Sequence, residues 1–221
     1  MMKICITGVA GMIGSHLLDY LFTEDYQIIG IDNLLVGEKK NITSYLNNKN
    51  FKFLNFDIRN YSLLEKEISS CDLIIHLAAV KKVTEKQEAF STLDVNVSGT
   101  QNILKIAKNN NIRVIFASTS DAYGISNEVP FKEISNLLIG QTQAKRWAYA
   151  ISKIYCESLC FAYHKDFGLD ITILRYFGGF SERSSFTWSG GHIPVFIQQI
   201  LNNQEVTIHG DGLQTRSMGH A

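Results

Sequence analysis

A glycine-rich turn within Lys3–His16 constrains the fold of this chain most strongly. Ile4–Thr7 is an apolar run of the length of a buried strand, and Gly8, Gly11 and Gly14 follow it directly. Leucines then recur at helical spacing. A tight turn, a close approach of backbone to a ligand and the packing of a new helix on its strand each favour glycine. The stretch therefore predicts strand, glycine turn and helix.

The same turn indicates a site for a diphosphate, because the free amides that begin a helix favour an anion. A glycine triplet alone is weak evidence, since many helices begin after such a turn. A second apolar run, Gln27–Ile31, leads into Asp32, at the distance where a carboxylate can bind both ribose hydroxyls of an adenosine. We interpret the unit as dinucleotide-binding; the alternative is a βαβ turn without a ligand.

Charge and cysteine usage exclude other classes of protein. Lys+Arg and Asp+Glu both number 21, so nothing indicates a nucleic acid or an anionic membrane as partner. The four cysteines lie among apolar neighbours without a CxxC pair or a histidine at ligand spacing, which favours buried free thiols and no metal site. No apolar run approaches the ~18 residues of a membrane span. We expect a soluble cytoplasmic protein.

Short apolar runs alternate with longer amphipathic segments over the first 175 residues. This alternation predicts an α/β fold, a Rossmann-like doubly wound parallel sheet with helices on both faces. The predicted strands are Lys3–Thr7, Gln27–Ile31, Lys52–Phe56, Leu73–His76, Arg113–Ala117 and Asp170–Arg175. The predicted helices are Met12–Phe22, Tyr61–Ile68, Thr84–Asn109, Ala144–Phe167 and His192–Asn202, and the Lys39-Lys40 pair is assigned to a solvated loop.

Polar residues that follow the strands are candidates for ligand contacts, because ligands of such sheets bind beyond the carboxyl ends of the strands. Asp57, with Ile58, either meets an adenine amino group or caps the helix that begins at Tyr61. His76 is interpreted as a core histidine. Asn96 lies on an apolar stripe and either holds a backbone or water near the site or satisfies a buried carbonyl.

The candidate catalytic groups follow the fifth predicted strand. Ser118–Gly124 is rich in hydroxyls and contains one carboxylate, Asp121. Tyr149 and Lys153 stand at i and i+4, on one face of a helix. An ammonium and a positive nicotinamide ring both favour the phenolate, so the tyrosine can take a proton from a hydroxyl group. YxxxK alone arises by chance, but after the glycine turn and Asp32 it predicts a catalytic pair; the alternative is a solvated helix face.

Taken together, these motifs resemble the extended short-chain dehydrogenase/reductase superfamily, in its NAD-dependent nucleotide-sugar epimerase/dehydratase branch. The resemblance runs from Lys3 to about Arg216. The motifs that carry it are GVAGMIG at Gly8–Gly14, Asp32-Asn33, Asp57-Ile58, HLAA at His76, STSDAYG at Ser118, YAISK at Tyr149, RYF at Arg175 and GDGLQTR at Gly210.

The resemblance implies bound NAD, with Thr119, Tyr149 and Lys153 as the catalytic hydroxyl, base and lysine. Asp32 implies NAD rather than NADP, and Arg216 would contact the diphosphate of a nucleotide-sugar. The residues expected at the cofactor are Gly8, Gly11, Met12, Ile13, Gly14, Asp32, Asn33, Asp57, Ile58, Leu77, Ala78, Ala79, Asn96, Tyr149, Lys153 and Tyr176. Those expected at the substrate are Lys81, Thr119, Gly178, Arg183 and Arg216.

The reaction implied is oxidation of the sugar at C4, which opens the way to epimerisation, loss of water or decarboxylation. Asp121 stands where dehydratases and UDP-glucuronate decarboxylases of the family usually have Glu, and RWAYAISK at Arg146 also resembles the decarboxylases. Asp is one methylene shorter than Glu, and a turn residue is an equal interpretation of Asp121.

The C-terminal part departs from the family pattern, because Gly178 replaces the usual Asn and Ser181-Glu182-Arg183 replaces GPR. We expect an NAD-binding domain over 1–175 and an incomplete small substrate domain over 176–221. The sequence is then a fragment, a truncated gene product, or a chain for which a partner supplies the part that covers the substrate. Such a chain should bind NAD and turn over sugar nucleotides weakly. A catalytically silent NAD-binding protein is the alternative. The family also implies a homodimer, through helices that include the one bearing YxxxK.

Overall fold

A computed structural model describes residues 1–81, 89–186 and 191–221. Strands and helices alternate along these ranges. The strands are β1 Met2–Thr7, β2 Tyr26–Ile31, β3 Phe51–Leu54, β4 Leu73–His76, β5 Arg113–Thr119, β6 Ile171–Tyr176, β7 Gly178–Phe180 and β8 Met218–His220. The α-helices are α1 Met12–Leu21, α2 Tyr61–Ile68, α3 Ala89–Asn110, α4 Ala148–Phe167 and α5 His192–Leu201.

Six strands form one parallel sheet in the order β3-β2-β1-β4-β5-β6. The strand order reverses between β1 and β4, so the carboxyl ends of these two strands border the crevice where sheets of this kind bind ligands. The predicted fold class, a Rossmann-like doubly wound sheet, is confirmed.

Hydrophobic clusters cover both faces of this sheet. Ile4 and Ile6 of β1 pack with Leu18 of α1 in one cluster, whereas Cys5 belongs to a second cluster with residues of α2, α3 and α4. Successive side chains of a strand point to opposite faces, so a continuous apolar run such as that of β1 serves both clusters. All four cysteines are buried free thiols, as the sequence predicts.

Two predicted segments differ clearly from the structure, and the predicted start of another lies where it cannot be compared. The helix predicted from Ala144 begins as an α-helix only at Ala148, after a short 3-10 turn at Lys145–Trp147. The segment assigned to a solvated loop forms a 3-10 helix, Lys39–Tyr45, because fully buried Ile42 anchors it to the core. The predicted start of the third helix at Thr84 lies outside the described residues.

The C-terminal part contains an element that the sequence did not predict. β7 and β8 pair in parallel as a separate two-stranded sheet. Gly178 begins β7, and a Cβ there would lie 2.2 Å from the Met218 Sδ, so a larger residue would require the flexible Met218 side chain to move. In the described parts of the chain, no helix has both the length and the apolar character needed to cross a membrane.

Candidate active site

The glycine turn after β1 leaves no room for side chains. Gly8 has φ +74°, and a Cβ on it would lie 2.8 Å from the backbone nitrogen of Ala78. A Cβ on Gly14 would lie 2.3 Å from the carbonyl oxygen of Gly8. Helix α1 begins after Gly11 with no side-chain cap and no acidic residue in its first turn. Its first amides are therefore available to an anion, which fits the diphosphate of a dinucleotide.

Asp32 is held at the end of β2 by backbone amides. It is 8% exposed, its Oδ2 accepts from the Ala10 N–H at 3.0 Å and its Oδ1 from the Leu34 N–H at 2.8 Å. Burial raises the pKa of Asp32, and these two N–H donors oppose that rise. Leu34 adopts φ +58°, the left-handed conformation that turns its amide towards the carboxylate.

Each oxygen of this carboxylate can accept a second hydrogen bond, as two ribose hydroxyls would require. The cleft beside it combines an acidic group, glycines and apolar walls, which fits an adenosine. It is lined by Gly8, Gly11, Ile31, Asp32, Asn33, Leu35, Val36, Gly37, Phe56, Ile58, Leu77, Ala78, Ala79, Val80 and Val95.

Asp57 belongs to an ion-pair network that the sequence analysis missed. Its carboxylate accepts from the backbone N–H of Arg59 at 2.9 Å and from the guanidinium at 2.8 and 3.0 Å, and these bonds lower the pKa of Asp57. Arg59 also donates to Asp94 of α3 at 2.6 Å, and Asn33 donates to Asp57 at 3.3 Å. The alternative that Asp57 caps α2 is wrong, because Asn60 provides that cap.

His76, at the end of β4, is a core histidine as predicted. Its Nδ1 lies 2.7 Å from the Thr7 Oγ1 and its Nε2 lies 3.0 Å from the Thr100 Oγ1. Thr100 donates its own proton to the carbonyl oxygen of Asn96 at 2.6 Å, so Nε2 must be the protonated ring nitrogen. Thr7 then donates to Nδ1 and accepts from the Ala78 N–H at 3.2 Å.

This environment predicts a pH dependence of stability. Burial, and then the charge of Lys153, lower the pKa of His76 from 6.5 to about 3. Below pH 6.5 the unfolded chain binds a proton that the folded chain rejects, so stability falls as pH falls. The loss between pH 6.5 and pH 5 is about 2 kcal/mol. Urea unfolding at several pH values should show a flatter acid slope for His76→Gln than for the wild type.

The matched control for this prediction is His164→Gln, which removes a histidine near the end of α4. It should keep the steep slope, because His76 is still present. Parallel slopes for the wild type and His76→Gln would contradict the prediction.

Asn96 of α3 has both of its predicted roles, because it holds the backbone beside the cleft and bonds the carbonyl of buried Val80. Its Oδ1 accepts from the Val80 N–H at 2.8 Å, and its Nδ2 donates to the Val80 carbonyl at 3.1 Å and to the Ser152 Oγ at 2.9 Å. Ser152 donates in turn to the Tyr149 carbonyl at 2.7 Å. Asn96 therefore joins the segment after β4 to the first turn of α4.

The candidate catalytic side chains meet where β5 ends against α4. The Thr119 hydroxyl lies beside the Tyr149 phenol, close enough to lower the pKa of that phenol. Lys153 is 2% exposed, donates to the Ala117 carbonyl at 2.7 Å and places its Nζ 4.7 Å from the centroid of the Phe116 ring. The structure thus brings together the hydroxyl, phenol and ammonium that the sequence singled out.

The electrostatics of this group favour the neutral phenol in the chain alone. Burial, and then the Asp121 carboxylate, raise the pKa of Tyr149, and the Thr119 hydroxyl opposes them. Burial lowers the pKa of Lys153 to about 8, and its ammonium is bonded to the Ala117 carbonyl. The expectation that the ammonium and a nicotinamide ring together favour the phenolate stays a prediction.

Asp121 has features of both interpretations made from the sequence. It lies in the 3-10 turn Ser120–Tyr123, and its backbone N–H donates to the Thr119 Oγ1 at 3.1 Å. Its side chain is exposed and close enough to Tyr149 to raise the pKa of that phenol. It is a turn residue whose carboxylate also faces the site.

The residues predicted at the substrate are more dispersed. Lys81 and Arg216 are exposed. Tyr176, which the sequence predicts at the cofactor, is the last residue of β6 and is 37% exposed. Arg183 pairs with Asp19 of α1 at 2.6 Å. Its contact with a substrate remains a prediction.

Met12 connects the C-terminal part to the cofactor cleft. Ser184 donates to its sulfur at 3.0 Å, and a Cβ on Gly179 would touch its methyl carbon at 3.5 Å. The segment after β6 therefore packs on the N-terminus of α1, a contact that no local pattern in the sequence indicated.

Comparisons with known proteins agree with this arrangement. The profile of the "NAD dependent epimerase/dehydratase family" matches residues 4–221. UDP-N-acetyl-alpha-D-glucosaminuronate decarboxylase of Bacillus cytotoxicus is 36% identical over 218 residues, covering 98% of this chain and 67% of the relative. A putative UDP-glucose 4-epimerase of Methanocaldococcus jannaschii is 37% identical, covering 96% of this chain and 68% of the relative.

A solved structure shows the same likeness in three dimensions. DesIV, a dTDP-glucose 4,6-dehydratase from Streptomyces venezuelae with NAD and TYD bound, superposes with a TM-score of 0.89 at 29% identity. The match covers 99% of this chain and 68% of DesIV, so the chain spans about two thirds of the length of each of these proteins. By sequence, by fold and by the geometry of its site, the chain belongs to the NAD dependent epimerase/dehydratase family.

Proposed function

We propose that this chain binds NAD and acts on a nucleotide-diphosphate sugar through transient oxidation at C4. The observation that carries the proposal is the meeting of Thr119, Tyr149 and Lys153 at the end of β5. A hydroxyl, a phenol and a buried ammonium in hydrogen-bonding surroundings can move the proton of an alcohol. Relatives that are decarboxylases and epimerases of UDP-sugars support the substrate class.

The cofactor would lie along the cleft that the glycine turn and Asp32 form. The first amides of α1 would hold its diphosphate, and the Asp32 carboxylate would hold the adenosine ribose and exclude a 2′-phosphate. When bound, NAD supplies the hydride acceptor and a positively charged ring.

In the proposed reaction Tyr149 takes the proton of the C4 hydroxyl group. The Thr119 hydroxyl, which lies beside that phenol, would steady the oxygen of the forming ketone. Lys153 provides a positive charge fixed by the Ala117 carbonyl. Because burial and Asp121 raise the pKa of Tyr149 in the chain alone, the phenol depends on further positive charge to release its proton.

Asp121 is the proposed second proton carrier, and it favours loss of water or carbon dioxide over plain epimerisation. A C4 ketone acidifies the C5 proton and makes a C6 carboxylate a leaving group, as carbon dioxide. A carboxylate that faces Tyr149 can serve the carbon next to the ketone. A UDP-glucuronate-type decarboxylase is therefore the second candidate, and the Bacillus cytotoxicus relative is a decarboxylase of a UDP-sugar acid.

Asp121→Asn separates the two effects of this carboxylate. Because it removes a negative charge beside the phenol, the Tyr149 titration and the pH optimum should both move to lower pH. If Asp121 also serves C5, formation of the final product should fall about 10²-fold while the 4-keto sugar accumulates. Phenolate absorbance and mass analysis of products measure the two effects.

Asp166→Asn is the control for this variant, since it removes an exposed carboxylate near the far end of α4, the helix that carries Tyr149. It should change neither readout. An Asp121→Asn protein with wild-type titration and wild-type product formation would show that the residue is a turn residue only.

The experiment that tests the proposed function begins with NAD titration by calorimetry. A panel of UDP-, GDP- and dTDP-sugars is then incubated with the protein, and products are followed by mass and by separation of epimers. Epimerisation leaves the mass unchanged, whereas dehydration and decarboxylation remove water or carbon dioxide. NAD binding without conversion of any sugar would support the alternative, a catalytically silent NAD-binding protein.

We also propose a division into an NAD-binding domain over 1–175 and a partial sugar-nucleotide domain over 176–221.

A homodimer is proposed through α3 and α4, which leave an apolar groove lined by Leu93, Val97, Ile151, Ser152 and Tyr155. Phe161 of α4 is 62% exposed, whereas Leu159 packs on the core.

Because the cysteines of this chain are free thiols, a cytoplasmic location is proposed.

A further inference from the structure

The end of β5 is joined to α4 at three successive turns of the helix. Three consecutive strand residues each lie beside one helix residue, and the helix residues are spaced four apart, on one face. The Lys153 Nζ donates to the Ala117 carbonyl at 2.7 Å, the Ser118 hydroxyl donates to the Glu157 carboxylate, and the Thr119 side chain lies beside the Tyr149 side chain. Two of these pairs contain the proposed catalytic groups, whereas the Ser118–Glu157 pair does not.

Glu157, the partner of Ser118, is also bound to Arg175 of β6. Its Oε1 accepts from the Arg175 Nε at 2.9 Å and its Oε2 from the Nη2 at 2.6 Å, in a bidentate pair. The side chains of Glu157 and Arg175 are 4% and 16% exposed. Arg175 donates further to the Glu133 carbonyl at 3.2 Å and lies over the Tyr123 ring at 4.8 Å. The pair thus links α4, β5 and β6.

A buried ion pair is weak evidence for stability, because an apolar replacement is often equally stable. Directional bonds differ from apolar packing in one respect that matters here, since they fix the position of a helix along its neighbour. A slide or rotation of α4 would separate the Tyr149 and Thr119 hydroxyls, and misplacement by about 1 Å costs such a site about a hundredfold in rate.

We propose that Glu157 is a positioning residue for the reaction: its bonds to Ser118 and Arg175 hold α4 where Tyr149 and Lys153 face the end of β5. This inference rests on the proposed function, because it assigns Glu157 a task at that same site. The residue touches neither the proposed cofactor cleft nor the reacting hydroxyls, and it acts through the helix that carries them.

The charge of Glu157 has a second consequence, at Lys153. The groups that face this ammonium are the Cys156, Cys160 and Glu157 side chains of its own helix and His76 of β4. His76 is neutral because burial and Lys153 lower its pKa to about 3. Glu157 opposes the fall in the pKa of Lys153 that burial causes, so removing its charge should lower that pKa further.

Glu157→Gln tests the proposal, with Glu67→Gln as matched control. Glu67 is 17% exposed and pairs with Lys52, away from β5 and α4. For Glu157→Gln, kcat should fall about 30- to 100-fold while the KM for the sugar nucleotide and the Kd for NAD change less than about twofold. The control should stay within about twofold in all three. An unchanged kcat in Glu157→Gln would overturn the proposal, as would an equal loss of NAD affinity and kcat.

Two further variants cover the case in which unpaired Arg175 prevents folding. Ser118→Ala keeps the ion pair and removes one bond to β5, so kcat should fall about 5- to 10-fold at constant NAD affinity. Glu157→Asp keeps the charge but loses reach, so it should lower kcat without shifting the Lys153 titration. Wild-type kcat in both would also overturn the proposal.

A measurement that does not depend on enzymatic turnover can test the role of Glu157 independently of the proposed function. NMR of protein labelled with ¹³Cε-lysine, with the resonance assigned through Lys153→Arg, follows Lys153 directly. Glu157→Gln should move its titration down by about half a pH unit or more and Glu67→Gln should not. If the wild type converts no sugar nucleotide, the proposed function fails; the Lys153 chemical shift in Glu157→Asp, which keeps the charge, then still tests whether Glu157 positions α4. A Lys153 resonance with unchanged chemical shift and unchanged titration in Glu157→Gln overturns the proposed positioning role.

Discussion

Replacing Tyr149 by phenylalanine is expected to lower kcat for the sugar nucleotide by about 10²- to 10⁴-fold, with NAD affinity within about twofold of the wild type. Phenylalanine keeps the ring in its place at the start of α4 but has no hydroxyl to bond Thr119 or to take a proton. Product formation followed by mass, with NAD affinity from calorimetry, measures both effects.

The control for this substitution lies on the same helix. Tyr155 is 45% exposed, and its hydroxyl lies 3.5 Å from the Gln101 side chain, away from the end of β5. Tyr155→Phe should therefore retain wild-type kcat. Equal activity of Tyr149→Phe and Tyr155→Phe would contradict the assignment of the base and, with it, the proposed mechanism.

Replacing Gly14 by alanine is expected to destabilise the fold by about 3 kcal/mol and to weaken NAD binding by more than about tenfold. The added Cβ would lie 2.3 Å from the Gly8 carbonyl oxygen and 2.8 Å from the Val9 Cα. Both are backbone atoms of the turn, so relief requires α1 to move away from β1. That movement displaces the amides proposed to bind the diphosphate.

Gly219→Ala is the matched control, because a Cβ at this position of β8 meets no atom within 4 Å. It should have the wild-type unfolding free energy and NAD affinity. Urea unfolding and calorimetry measure the two quantities. A Gly14→Ala protein as stable as Gly219→Ala would mean that the turn is more adaptable than its geometry indicates.

Features that depend on short stretches of chain were predictable from the sequence. The strand, turn and helix at the N-terminus followed from the spacing of three glycines and an apolar run, because the positive φ of Gly8 and the close approach of Gly11 and Gly14 to the Gly8 carbonyl lie within that stretch. The candidate catalytic tyrosine and lysine were predictable because a helix places residues i and i+4 on one face. The parallel sheet followed from the alternation of apolar runs and amphipathic segments.

Features that depend on distant partners were not predictable. Arg59 was missed because its second carboxylate, Asp94, lies 35 positions further along the chain. Glu157 was overlooked because a glutamate in a helix usually faces solvent, and only the fold brings Arg175 to it. The pairing of β7 with β8 joins segments about forty residues apart and has no local signal.

The sequence by itself determined the order of the strands and helices, the cofactor turn and the identity of the candidate catalytic side chains, because spacing along the chain sets these features. Only the tertiary structure decided the charge state of Tyr149 and the bonds that hold α4 against β5. Burial and the charges of neighbouring groups set a pKa, and both arise only when residues far apart in the chain are packed together.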